Sequence, residues 1–161
     1  MSLVRRAVAG DAEEVLRLRQ VMIASVNPDA STDWQAESLP GLRSRLADPD
    51  GNFAAFVVDH PDRPDHPDRP DALAALVAGT LEYRIGGPNR PGGLLGYVFS
   101  VATDPDARRR GYARACMDAL LEWFRERGVG HVMLTASPDA EPLYASMGFT
   151  RDATPSMRLY L

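Results

Sequence analysis

Cysteine is nearly absent from this chain, with Cys116 the single one in 161 residues. An intrachain disulfide is therefore excluded, and no Cys or His spacing marks a metal site. Cys116 falls inside an expected helix and reads as a small core side chain. Such sparing use of cysteine suits a reducing compartment. Long apolar runs are also missing. Nothing approaches the roughly 18 apolar residues of a membrane span. Arg5, Arg6, Asp11, Glu13 and Glu14 interrupt any apolar start, so no secretory leader is expected and the protein reads as cytoplasmic. Net charge is small, at −4 with a sequence pI near 5.3. Nucleic acid is then a disfavoured partner, although Arg108 to Arg110 form one short basic run. Two nucleotide signatures, Gly-x-x-x-x-Gly-Lys-[Ser/Thr] and Gly-x-Gly-x-x-Gly, are absent as well.

What is present is ordinary for a globular chain: 45% hydrophobic and 25% charged residues, enough for one domain over residues 1–161. Leu3 to Val8 predicts a first strand. Asp11, three residues before Glu14, predicts the cap of a helix running to about Val26. Trp34 suits a short helical turn, and Pro40 suits the first position of a second helix ending near Ala47. Phe53 to Val58, Ala72 to Ile85, Leu94 to Thr103 and His131 to Thr135 read as strands. Between the first two of these lies a repeat, His60-Pro-Asp-Arg-Pro-Asp65 followed by His66-Pro-Asp-Arg-Pro-Asp71. With four prolines and no apolar side chain, it predicts an unpacked hairpin tip over 60–71. Its two histidines are weak metal ligands, because both precede proline.

Gly111 to Arg127 is the strongest helical pattern. Ala113, Met117, Leu120 and Phe124 line one face, and Gly128 stops it. Ser137 and Pro138 predict a helix start, with Gly148 its end. Phe149 and Thr150 then open a last strand pair that closes with Met157 to Leu161. A strand–helix–strand unit from Leu94 to Thr135 implies a parallel pair.

The buried strand, the turn Asp104-Pro105-Asp106-Ala107-Arg108-Arg109-Arg110-Gly111 and the helix after it form an anion site. Free N–H groups and the positive end of the helix dipole converge there, with Gly111 allowing close approach. Arg108-x-x-Gly111-x-Ala113 has the form [Gln/Arg]-x-x-Gly-x-[Gly/Ala]. About 25 residues later comes Ala140-x-x-Leu143-Tyr144-x-x-x-Gly148-Phe149. Together these motifs, over roughly residues 94 to 150, resemble the Gcn5-related N-acetyltransferase (GNAT) superfamily.

The resemblance implies an α/β GNAT fold: a mixed, mostly antiparallel sheet of six to seven strands, a splayed parallel pair and helices on both faces. It implies acetyl-CoA as cosubstrate, no metal, and acetyl transfer to a primary amine by direct attack. Backbone of Val101, Ala102 and Thr103 would pair with the pantetheine arm. Amides of Arg109, Arg110, Gly111, Tyr112, Ala113 and Arg114 would hold the pyrophosphate, with Arg108 adding charge. Tyr144 would face the sulfur. Ser137 stands where many members have an asparagine on the pantetheine arm, and it also serves as a helix cap. Leu94 to Thr103 holds no carboxylate, so Glu82 on the preceding strand is the first candidate base and Asp104 the second. The acceptor is expected near Val26 to Trp34 and Glu82. The mild acidity favours a cationic small molecule, with a protein amine or a non-catalytic coenzyme sensor as the other readings. The family's habit of dimerising points to the C-terminal strands.

Overall fold

Alternating apolar side chains build a sheet with two buried faces. The computed structural model describes residues 3–63 and 67–161. Its strands are β1 (Val4–Arg6), β2 (Phe53–Asp59), β3 (Leu73–Tyr83), β4 (Leu94–Thr103) and β5 (Val132–Leu134), hydrogen-bonded in sequence order. The first three pairings are antiparallel and β4–β5 is parallel, as the strand–helix–strand unit requires. Along β2, Phe53, Ala55 and Val57 enter one core cluster while Ala54, Phe56 and Val58 meet the other, the period of two of an extended chain.

Helix α1 (Ala12–Val26) and helix α2 (Trp34–Leu46) cover the first face through Val15, Leu18, Leu39, Leu42 and Leu46. Helix α3 (Tyr112–Glu126) and the short α4 (Glu141–Ser146) cover the second, through Met117, Leu120, Phe124, Leu143 and Tyr144. Phe124 fixes α3. A Cβ on Gly79 of β3 or Gly96 of β4 would lie 2.9 Å from its ring, so the two glycines form a notch that the phenyl group fills. Cys116, beside it in the core, is fully buried, and burial pushes its thiol up to about 12. It is an inert core residue.

Four details depart from the sequence expectations. Asp11 does flank α1, but its carboxylate caps the 3₁₀ turn Ala9–Asp11 before the helix and not the helix itself. It accepts from the Val8 N–H at 2.8 Å and from both terminal nitrogens of Arg5 at 2.8 Å, while Glu14 accepts from the Leu73 N–H at 2.9 Å. Pro40 lies inside α2 rather than starting it, because packing of Leu39, Leu42 and Leu46 on the sheet carries the helix through the lost hydrogen bond. The 60–71 loop is packed at its base: His60 is 2% exposed and its N–H donates to the Ala72 carbonyl. His66 lies outside the described residues.

The fourth departure is the last strand pair. Among the described residues the sheet has five strands rather than six or seven, and residues 151–161 are exposed without regular structure. Arg151 is drawn aside by Glu141 of α4 (2.9 Å), the Asp152 carboxylate accepts from the Thr154 N–H, and Pro155 has no N–H for a ladder. Among the described residues no strand pairs with the outer edge of β5, and a cavity of about 1160 Å³ opens along it between Leu121, Met133 and Phe149.

Two outcomes follow from this packing. Gly79→Ala overfills the Phe124 notch and lowers stability by about 1–3 kcal/mol, read as a lower urea midpoint at unchanged m-value. Burial works to raise the Asp11 pKa, but hydrogen bonds from Arg5 and Val8 and the Arg5 charge outweigh it, and the net direction is downward. A depressed folded-state value contributes stability above the unfolded value, about 3.9, that is lost as pH falls through the folded one. Thermal melts from pH 6 to pH 2 should therefore show a steep loss below about pH 4 that Asp11→Asn flattens, the variant being already weaker at neutral pH.

Candidate active site

β4 changes partners part-way along. It pairs with β5 only at Gly96–Val132, Tyr97–Met133 and Val98–Leu134. A bond between Tyr97 Oη and Thr135 Oγ1 at 3.1 Å closes that end. From Phe99 to Thr103 the strand keeps β3 on one side, through Ala102–Leu76 and Thr103–Ala75, and has no β5 partner on the other. A bulge sits at the parting: Ser100 and Val101 together oppose Val77, and Ser100 has a φ of 54°. The extra residue reverses the faces. Val98 and Val101 both pack on the α3 side, whereas Phe99 and Ala102 pack on the α1 side.

Beyond Thr103 the chain makes a 3₁₀ turn at Pro105–Ala107 and then the predicted loop. Arg109 (φ 64°) and Gly111 (φ 77°) both take the left-handed conformation, curling the backbone into α3. Among the described residues, the N–H groups of Arg108 to Arg114 donate to no acceptor, and the first helical bond is Ala115 N–H to the Gly111 carbonyl. They gather at the positive end of the α3 dipole. A Cβ built on Gly111 meets nothing within 4 Å, so open space lies beside the loop. Arg108, Arg109 and Arg110 are exposed. Arg114 reaches α4, donating to Ser146 Oγ at 2.9 Å. An extended pyrophosphate-bearing ligand fits this set of groups: an unpaired strand edge, a cradle of amides and a cluster of guanidinium groups.

The loop is braced from behind by residues that the motifs do not include. Arg17 of α1 bonds Glu14 at 2.6 Å, the Leu73 carbonyl at 3.1 Å and Asp104 at 2.9 Å. His60 Nε2 meets Asp106 Oδ1 at 2.7 Å, inside the 3₁₀ turn. Donor atoms of His60, Asp104 and Asp106 lie within 4.8 Å of one another, and each residue is already engaged in these contacts. The signal in the sequence was a histidine directly after a strand, which the proline repeat masked.

Tyr144 is 5% exposed, stacks edge-on against Phe149 at 5.9 Å and shares a cluster with Val101 and Leu134, on the strands that part. Burial pushes its pKa up, so the phenol stays neutral and able to donate. Ser137 Oγ accepts from the Ala140 N–H at 3.3 Å, a cap on the turn before α4, which starts at Glu141 rather than Pro138. Glu82 is not brought to this place. It stands opposite Leu95, six residues before Val101, which is roughly 20 Å along an extended strand. Its carboxylate is held by Arg84 at 2.9 Å. Asp104 is 6% exposed and turned to Arg17.

On the α1 side of the bulge lies a separate cavity of about 440 Å³. Leu16 and Arg19 of α1, Trp34 and Leu42 of α2, Phe53, and Phe99 with Ser100 line it. Trp34, expected near an acceptor, is there, whereas Val26 and Glu82 are not.

A family model described as "Acetyltransferase (GNAT) family" matches residues 22–149. A mycothiol acetyltransferase from Nocardioides sp. is 31% identical over 152 residues, which is 90% of this chain and 48% of that protein. The chain spans about half the length of the curated relatives that it matches over most of its own. A GCN5-related N-acetyltransferase from Ralstonia eutropha superimposes with a TM-score of 0.76 at 25% identity, covering 97% of both chains. A predicted acetyltransferase from Clostridium acetobutylicum, solved with acetyl-CoA, gives 0.79 at 20% identity over 98% of this chain and 94% of that one. The parted strands, the open amide loop and a match over most of the sequence agree, and the chain belongs to the acetyltransferase (GNAT) family.

Proposed function

We propose that this acetyltransferase moves an acetyl group from acetyl-CoA to the primary amine of a small molecule, by direct attack of the amine. The observation that carries the reading is the unpaired run of amides from Arg108 to Arg114, set beside the unpaired edge of β4. Acetyl-CoA would supply an activated thioester. Val101, Ala102 and Thr103 would bind its pantetheine arm as an added strand. The amides of Arg109 to Arg114 would hold the pyrophosphate, with Arg108, Arg109 and Arg110 adding positive charge. Ser137 lies at the start of the α4 turn, where a hydroxyl could contact the same arm.

Tyr144 is the catalytic residue of this scheme. Its neutral phenol donates a hydrogen bond to negative charge developing on the departing sulfur. Backbone N–H groups at the β4 bulge polarise the thioester carbonyl. The amine proton passes to water at the cavity mouth. Among the described residues Glu37 is the one carboxylate in that cavity's lining. A cavity of about 440 Å³ is of small-ligand size, and the relatives above are named for a small molecule, mycothiol. Both favour a small acceptor over a protein chain.

Tyr144→Phe should lower kcat by about 10–100-fold while leaving the acetyl-CoA KM within about twofold, measured by release of free thiol. An unchanged kcat removes Tyr144 from the mechanism. Gly111→Val places a β-branched residue at a left-handed φ, at a cost of about 1–2 kcal/mol, and should weaken acetyl-CoA binding about tenfold by calorimetry. Undiminished binding would mean that the coenzyme lies elsewhere.

A further inference from the structure

The cavity beside Ser100 has a charge pattern that the chain as a whole does not. Its walls are aromatic and aliphatic: Leu16, Trp34, Leu42, Phe53 and Phe99. Two arginines, Arg19 and Arg45, line it against one carboxylate, the exposed Glu37. Arg45 is also exposed, and one of its terminal nitrogens donates to the Gly41 carbonyl at 3.2 Å.

Arg19 is the unusual member. Neighbouring arginines are matched with acids: Arg5 with Asp11 and Asp59, Arg17 with Glu14 and Asp104, Arg43 with Glu13. Arg19 is half-buried, and among the described residues no carboxylate lies within ion-pair distance of it. The hydrogen bond it makes among the described residues is to Met22 Sδ at 4.0 Å. Burial without a counter-charge pushes its pKa down. Partly shielded by apolar walls and engaged by no acid among the described residues, its guanidinium keeps a planar fork that matches a carboxylate. Trp34 is held in place across the cavity, its Nε1 donating to Gln20 Oε1 at 2.9 Å.

Resting on the acetyl-transfer reading above, we propose that the acceptor carries a carboxylate as well as its primary amine and an apolar body, and that Arg19 selects it. The amine would lie toward Ser100, where β4 bulges, and the carboxylate would lie on Arg19. This reverses the expectation of a cationic acceptor, which rested on net charge. The amine enters bond formation as its neutral form, so the bound molecule then carries a net negative charge, which the excess of guanidinium groups accepts.

The test uses the whole chain, acetyl-CoA and a panel of amino acids. Their amine–carboxylate spacing runs from glycine to 6-aminohexanoate, with phenylalanine added, and each acid is paired with its carboxamide. For at least one spacing the acid should exceed its carboxamide by about tenfold or more in kcat/KM. Arg19→Gln should erase that preference through KM, leaving kcat and the acetyl-CoA KM within about threefold, and Arg19→Lys should restore part of it. Carboxamides that match or exceed their acids throughout, or a preference that survives Arg19→Gln, would overturn the proposal. Calorimetry with the same pairs in the presence of CoA reads the anion preference without turnover. Acid-selective binding lost in Arg19→Gln, with no acetyl transfer to any amine, would sink the transferase reading and keep the carboxylate site. Equal binding of acid and carboxamide would sink the site.

Discussion

The seating of one phenyl ring sets the geometry of everything around the loop that opens α3. Phe124 enters a notch that exists because Gly79 and Gly96 lack side chains. From Phe124 back to Tyr112 the helix covers roughly 18 Å. From Gly96 on to Val101 the strand covers roughly 17 Å in the opposite sense. A right-handed strand–helix–strand crossover runs helix and strand antiparallel, so these lengths bring the first turn of α3 to the unpaired end of β4. The notch thereby places the amide cradle beside the strand edge. A helix shifted by one turn would move the cradle by about 5 Å relative to Val101.

Holding the two elements together is a task for charge. Left-handed backbone at Ser100 and Arg109 is unfavourable for residues with a side chain, and such strain persists only where surrounding contacts determine it. Here the contacts are polar. Arg17 ties α1 to the start of β3 and to Asp104, and His60 ties the end of β2 to Asp106. Both carboxylates lie between Thr103, where β4 ends, and Arg108, where the amide run begins. The loop is thus anchored at its entry and left open at its amides, the arrangement expected of a site prepared for an anion.

Much of this was legible because its signals are local. Leu94 to Thr103 reads as a strand from the length of its apolar run and Gly111 to Arg127 as a helix from side-chain periodicity, and the structure differs from those bounds by a residue or none at either end. The loop between them carries its chemistry in a glycine and a spacing. What stayed hidden depends on partners far apart in sequence. Pro40 is read locally as a helix start, yet Leu39, Leu42 and Leu46 on the sheet keep it interior. Met157, Leu159 and Leu161 alternate as a strand should, yet alternation does not supply a neighbour, and Arg151 bonds Glu141 instead. Glu82 shares a strand neighbourhood with β4 in sequence, while the antiparallel register sends it to the far end, opposite Leu95.

The proposed acceptor side follows the same division, with charge in place of periodicity. A net charge of −4 describes the surface as a whole and sets long-range attraction. Recognition depends on the few groups withdrawn from water, where Coulombic interactions are least screened. The 18 lysine and arginine positions are all arginine, so one cation cannot be told from its neighbours by type. They differ in what surrounds them. Arg17 and Arg19 are two residues apart on one helix; the first turns to Glu14 and Asp104, and the second lines a cavity with no carboxylate of the described residues within ion-pair distance. A helical step of two residues rotates a side chain by about 200°, which sends these neighbours to opposite surroundings. One braces the loop before α3 and the other is the cation proposed to face the acceptor, a difference in surroundings that the helix period produces and that no count of charges contains.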